Sequence, residues 1–225
     1  DGKYVCVHDA RCFRDSSGNR EETKVHEISL SDAKKKDLIY SKNFPKYFPG
    51  FFDPNGEKSS EKKHYEVCDF NDYLKLCKDY DKTAVIEIKQ DGSYLGDPDG
   101  SVWNTDNLPG LYETIKKSGV NFCLISFDNA ALEWLHEQYP NELNAKNMQM
   151  LYDPDNEVEK YRDFNWFINN GYSIDVGDRL SESTTDWGIE ITKELVDKFH
   201  AKNLLFKVWT IDDLPRAKAL ADMGV

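Results

Sequence analysis

The sequence predicts a parallel α/β fold, and three observations carry that expectation. Short β-branched or aromatic runs recur at 4–7, 84–88, 122–127, 148–152, 172–176 and 204–210. Between them lie stretches whose apolar residues fall three and four apart, closed by Gly or Pro. The run "AVIEI" at 84–88 is almost continuously apolar, the mark of a strand covered on both faces. Strand and helix alternating at about 30 residues per unit are βαβ repeats. A length of 225 residues suits one α/β barrel domain with a sizeable core.

The helices follow in order. Over 70–80, Phe70, Tyr73, Leu74 and Cys77 form one stripe behind a capping Asp69. The helix over 108–118 stops before Gly119, that over 129–138 before Pro140, and that over 157–169 before Gly171. A helix over 192–201 precedes the last strand, and one over 214–223 follows it. The stretch 11–67 breaks this rhythm. It is polar and turn-rich, with one short helix candidate over 31–38, and reads as an insertion after the first strand. The "DPNG", "DPDG" and "DPDN" stretches lack the ligand spacing of a calcium loop and read as turns.

Composition narrows the function. The formal charge of -12 disfavours nucleic acid and anionic membranes, while it favours a cation. An anionic substrate would need local positive charge, so an inward-facing lysine or a bound metal gains weight. No stretch approaches the about 20 apolar residues of a membrane span. The five cysteines are widely spaced, with no zinc or CxxC pattern, and read as free thiols. A cytoplasmic location is favoured, and export stays open because the chain reads as lacking its true N-terminus.

In α/β barrels, chemistry gathers at the carboxyl ends of strands. Here those ends carry His8-Asp9, then Glu87 and Lys89, Ser126, Asp153, Asp175 and Asp178, and finally Trp209 followed by Asp212. Glu87 and Lys89 share a face, since side chains alternate along a strand. They form either a salt bridge or a site in which the carboxylate holds a divalent cation and the ammonium meets an anionic oxygen. His8 is either a satisfied imidazole or a catalytic one. Trp209 is either core or, with Lys207 on its side of the strand, a ligand wall. His26, His64, His136 and His200 read as solvent-facing.

Four stretches, "DGKYVCVHDARCFRDSSG", "AVIEIK", "LISFDNAALEWLHEQYP" and "LLFKVWTIDDLPRAKALADMGV", together resemble the glycerophosphodiester phosphodiesterase family, in order and over nearly the whole chain. The resemblance implies a TIM (β/α)8 barrel of the PLC-like phosphodiesterase type, one catalytic domain over 1–225 with the insertion at about 11–67. It implies cleavage of a glycerophosphodiester to glycerol 3-phosphate and an alcohol with Ca2+ or Mg2+, in glycerol and lipid metabolism. By motif, Glu87 resembles the metal ligand, Lys89 the phosphate-facing cation and His8 the general acid. Trp209 and Phe127 resemble the aromatic residues of the glycerol pocket, and Arg14 a structural arginine. Asp212 departs from the family's usual Asn. In the family, the substrate's own glycerol hydroxyl attacks phosphorus with help from a second His.

The family's "HRG" strand with that His, its "PENT" stretch, its "ExD" pair and its "DGIITD"-like closing strand have no counterpart here. The expectation is therefore an incomplete barrel holding about six of eight strands, either a segment of a longer protein or a barrel that has lost part of itself, and inactive alone. Two other functions compete: a phospholipase D-like relative acting on lysophospholipids, and a non-catalytic barrel that binds a ligand or partner. The expected partner is a small glycerophosphodiester, with no nucleic acid and no membrane span.

Overall fold

The computed structural model describes residues 2–17, 19–38, 66–89, 107–181, 184 and 186–225. Most of the insertion's interior, His64, the "DPNG" and "DPDG" turns and the loop at 101–106 lie outside the described residues. The chain forms two compact units, Asp1–Asp81 and Lys82–Val225.

In the first unit, β1 (Val5–Cys6) pairs antiparallel with β2 (Cys68–Asp69). This corrects the expectation that 4–7 belongs to the parallel sheet. The stretch alternates rather than running apolar, and its strand is two half-buried residues long; it lacks the apolar continuity that a doubly covered parallel strand requires. The expected helix over 31–38 shrinks to α1 (Leu30–Ala33), capped by Ser29. A small core of Cys12, Phe13, Ala33 and Val67 gathers Val5, Val7 and Leu38 around it. Arg14 donates to Asp37 at 2.8 Å, a structural role as expected. Asp69 accepts from the Asn71 N–H and starts α2 (Phe70–Asp79).

The second unit is a five-stranded parallel sheet: β3 (Ala84–Glu87), β4 (Phe122–Ser126), β5 (Met148–Tyr152), β6 (Ser173–Gly177) and β7 (Phe206–Trp209). Sequential strands are neighbours throughout. The intervening helices are α3 (Leu108–Ser118), α4 (Asn129–Gln138), α5 (Phe164–Asn170) and α6 (Lys193–His200), with α7 (Leu214–Met223) after β7. Side chains of Asp128, Asp163, Thr192 and Asp213 cap four of them. Gly119 and Gly171 end α3 and α5 at φ 64° and 77°, a conformation that costs other residues a Cβ clash. The single helix expected over 157–169 is divided. Asp163 turns extended, accepts from the Asn165 N–H, and separates a 3-10 turn at Glu159–Arg162 from α5.

One face of the sheet, with Ile86, Leu124, Met150, Ile174, Val176 and Phe206, is buried. The rings of Phe206, Phe199 and Phe164 form a continuous edge-to-face series at 5.4 and 6.4 Å between centroids. Truncating Phe199, which is fully buried, should cost about 3–5 kcal/mol, measurable by denaturant unfolding; a loss under about 1 kcal/mol would contradict this packing.

All five cysteines are free thiols, as expected. Burial pushes Cys12 up to about 11 and raises Cys123. A thiol reagent at about pH 8 should label both only after unfolding, because the thiolate is the nucleophile; rapid labelling of either in the folded chain would contradict this. His136 is a second correction: it does not face solvent. Its ring is half-buried, Nδ1 donates to the Leu143 carbonyl at 2.9 Å, and the ring lies edge-on to Tyr172. An imidazole at the end of an amphipathic helix satisfies both an apolar contact and a carbonyl.

Candidate active site

Parallel register assigns the faces of the sheet. Glu87 is level with Ile125, Ile125 with Gln149, Leu151 with Asp175, and Asp175 with Lys207. Because side chains alternate, Glu87, Gln149, Asp175, Lys207 and Trp209 all stand on the face opposite the helices. Lys89, two residues beyond Glu87 and just past β3, meets it there at 2.8 Å. The pair is partly open to solvent, Lys89 33% and Glu87 26% exposed.

An aromatic cluster stands with them. Phe127 lies edge-on to Trp209 at 5.6 Å between centroids, and Trp187, from the loop after β6, tilts against Trp209 at 4.7 Å. Gly177 makes that approach possible, since a Cβ there would stand 2.6 Å from the Trp187 ring. The sequence reasoning missed Trp187, whose only signal is an indole in a polar loop.

Asp175 is 9% exposed, and burial pushes its carboxyl up to about 6, opposed by Lys207 and reinforced by Glu87. Lys207 was legible as a cation beside Trp209. Gln149 carries no sequence signal, because one polar residue in "MQMLY" has no distinctive spacing.

Two strand-end groups are structural. Ser126 donates to the Ile88 carbonyl at 2.6 Å and accepts from the Asp128 N–H at 2.9 Å. Asp178 is fully buried and takes both guanidinium arms of Arg216 at 2.5 and 2.9 Å. Asp153 accepts from the Asp155 N–H at 2.8 Å, which makes a turn. Polar strand ends therefore include scaffold as well as site.

His8 belongs to the first unit. Its side chain is 69% exposed, and Nδ1 donates to the buried Asp9 carboxylate at 2.7 Å, which also faces Arg20 at 3.3 Å. This arrangement leaves Nε2 as the imidazole's outward nitrogen.

A model of the glycerophosphoryl diester phosphodiesterase family matches residues 1–225. The chain belongs to this family. Its members are phosphodiester hydrolases that generally use divalent cations and fold as (β/α)8 barrels. The all-parallel sheet of the second unit is part of such a barrel. Solved structures agree on the fold. A protein named as a candidate glycerophosphoryl diester phosphodiesterase from Silicibacter pomeroyi aligns with a TM-score of 0.68 at 18% identity, over 100% of this chain and 74% of that one. A glycerophosphodiester phosphodiesterase from Parabacteroides distasonis aligns with a TM-score of 0.58 at 16% identity, over 98% and 71%. No curated protein matches the chain.

Glu87 suits a divalent cation as one hard oxygen donor. Among the described residues, no three His, Cys, Asp or Glu side chains gather into a metal-binding group. The described side chains thus offer part of a donor set rather than a complete one.

Proposed function

We propose that the protein hydrolyses glycerophosphodiesters to glycerol 3-phosphate and an alcohol, with a divalent cation, Ca2+ or Mg2+. The observation that carries the reading is the Glu87–Lys89 pair, 2.8 Å apart at the carboxyl end of β3, on a face with Trp209 and Phe127 close by. A phosphodiester is anionic and has a poor leaving group, so its cleavage needs charge neutralisation and a proton donor. Lys89 supplies positive charge to a phosphate oxygen, against a net charge of -12. Glu87 would contribute one oxygen to the cation, which would supply charge withdrawal from the phosphoryl group. His8, oriented through Nδ1 by Asp9, donates from Nε2 to the departing alkoxide. Phe127 and Trp209 form the wall for the organic part.

The test is release of glycerol 3-phosphate from glycerophosphocholine by full-length protein, with and without chelator. Turnover should vanish on chelation and return with Ca2+ or Mg2+. His8→Ala should lower kcat about a hundredfold or more, and an unaltered rate removes His8 from the reaction. One observation favours a lysophospholipid alternative: Leu180 and Leu214, 70% and 67% exposed, follow the ends of β6 and β7. Faster turnover of lysophosphatidylcholine than of glycerophosphocholine would select it.

A further inference from the structure

The face of the sheet opposite the helices carries buried polar atoms that this chemistry leaves unused. Asp175 is 9% exposed, and its Oδ1 has no hydrogen-bond partner among the described residues. The buried indole Nε1 of Trp209 likewise has none. Gln149, fully buried on neighbouring β5, leaves both amide atoms unbonded there. Buried polar atoms are bonded in more than about nine cases in ten, so a set of them on one face marks where an outside group binds. The same sheet shows how a purely structural carboxylate is treated. Asp178 takes two bonds from Arg216, whereas Asp175 has no such clamp among the described residues.

The ligand's chemistry follows from the neighbours. An anion is disfavoured at Asp175, which feels repulsion from Glu87. A cation gains little, because Lys207 is directly level with Asp175 on β7 and already attracts its carboxylate. A neutral hydroxyl is different: it donates to a carboxylate and accepts from an N–H, which suits the acceptor on β6 and the indole donor on β7.

We propose that Asp175 is a specificity-determining residue that accepts a hydrogen bond from a hydroxyl of the substrate's polyol part, the Trp209 indole N–H serving the same hydroxyl or the adjacent one. The inference rests on the reading of the site as one for glycerophosphodiesters, and assigns to Asp175 the neutral part of the substrate where Lys89 takes the charged part. Lys207 keeps the carboxylate able to accept.

Calorimetric binding to the full-length protein separates this inference from the hydrolytic reading, because it needs no turnover. The probes are glycerol 3-phosphate and propyl phosphate, which differ in two hydroxyls and carry the same phosphate. Wild type should prefer glycerol 3-phosphate by about ten- to a hundredfold, the range for hydrogen bonds to a charged acceptor. Asp175→Ala should bring the two affinities to within about threefold of each other. Trp209→Phe, which keeps a ring and removes the donor, should lower the same ratio. If Asp175→Ala melts early by circular dichroism, Asp175→Asn decides, since its weaker, neutral acceptor should still reduce the ratio several-fold. Equal wild-type affinities, binding of neither probe, or a wild-type ratio in the Asp175 variants overturns the inference. Preference for glycerol 3-phosphate without any hydrolysis would sink the hydrolytic reading alone.

Discussion

Full-length protein carrying Glu87→Ala should release glycerol 3-phosphate at least about a hundredfold more slowly than wild type, and Lys89→Ala should do the same. The ion pair between them spans 2.8 Å but keeps 26% and 33% exposure. A half-open pair contributes at most about 1 kcal/mol to stability. Both variants should therefore unfold close to the wild-type temperature. That contrast separates the two readings open from the sequence. A purely structural salt bridge would keep turnover in both variants; a site loses it. Glu87→Gln, which preserves shape and removes charge, should resemble Glu87→Ala. Lys89→Arg should recover part of the rate, because it restores charge with a different reach. Turnover unaltered in both alanine variants would remove the pair from the reaction.

A large expected loss of stability lies elsewhere, at Arg216→Ala. Asp178 is fully buried, and Arg216 from the first turn of α7 grips it with two bonds. Removing the guanidinium leaves an unpaired buried carboxylate, at a cost of about 3–5 kcal/mol. For a chain of this size the melting temperature should fall by roughly 10 °C. Asp178 also holds the loop after β6. Its carboxylate accepts from the Leu180 N–H at 3.2 Å, its carbonyl accepts from the Thr184 hydroxyl, and its own N–H donates to the Trp209 carbonyl at 3.2 Å. The variant should thus also loosen Trp187 from Trp209 and raise KM more than it lowers kcat. Replacing both partners by apolar residues of similar size should restore much of the stability, since neither charge is then stranded. A melting temperature within about 2 °C of wild type for Arg216→Ala would contradict this account.

Periodicity made the sheet of the second unit legible. Apolar runs bounded by Gly, Pro and capping Asp lie within a residue or two of β3 to β7 and of α3, α4, α6 and α7, because local propensity and burial point the same way there. It failed at 4–7, whose alternation marks a strand but lacks the apolar continuity that a doubly covered parallel strand requires. It failed again at Asp163, whose capping strength outweighs the helical pattern around it.

The sequence by itself determined that Glu87 and Lys89 share a face, that Trp209 ends a strand, and which family the motifs resemble. These depend on spacing along one chain, which alternation converts into geometry. Only the tertiary structure decided which strand-end carboxylates serve the scaffold. Asp178 and Asp175 lie three residues apart in one strand and its extension, and their local sequence does not say which partner each meets. What differs is the partner across space: for Asp178 a guanidinium 38 residues away in the chain, for Asp175 a lysine on the next strand and an oxygen left unbonded among the described residues. A buried charge takes its meaning from the groups that fold against it, and those are chosen by register and packing rather than by neighbours in sequence.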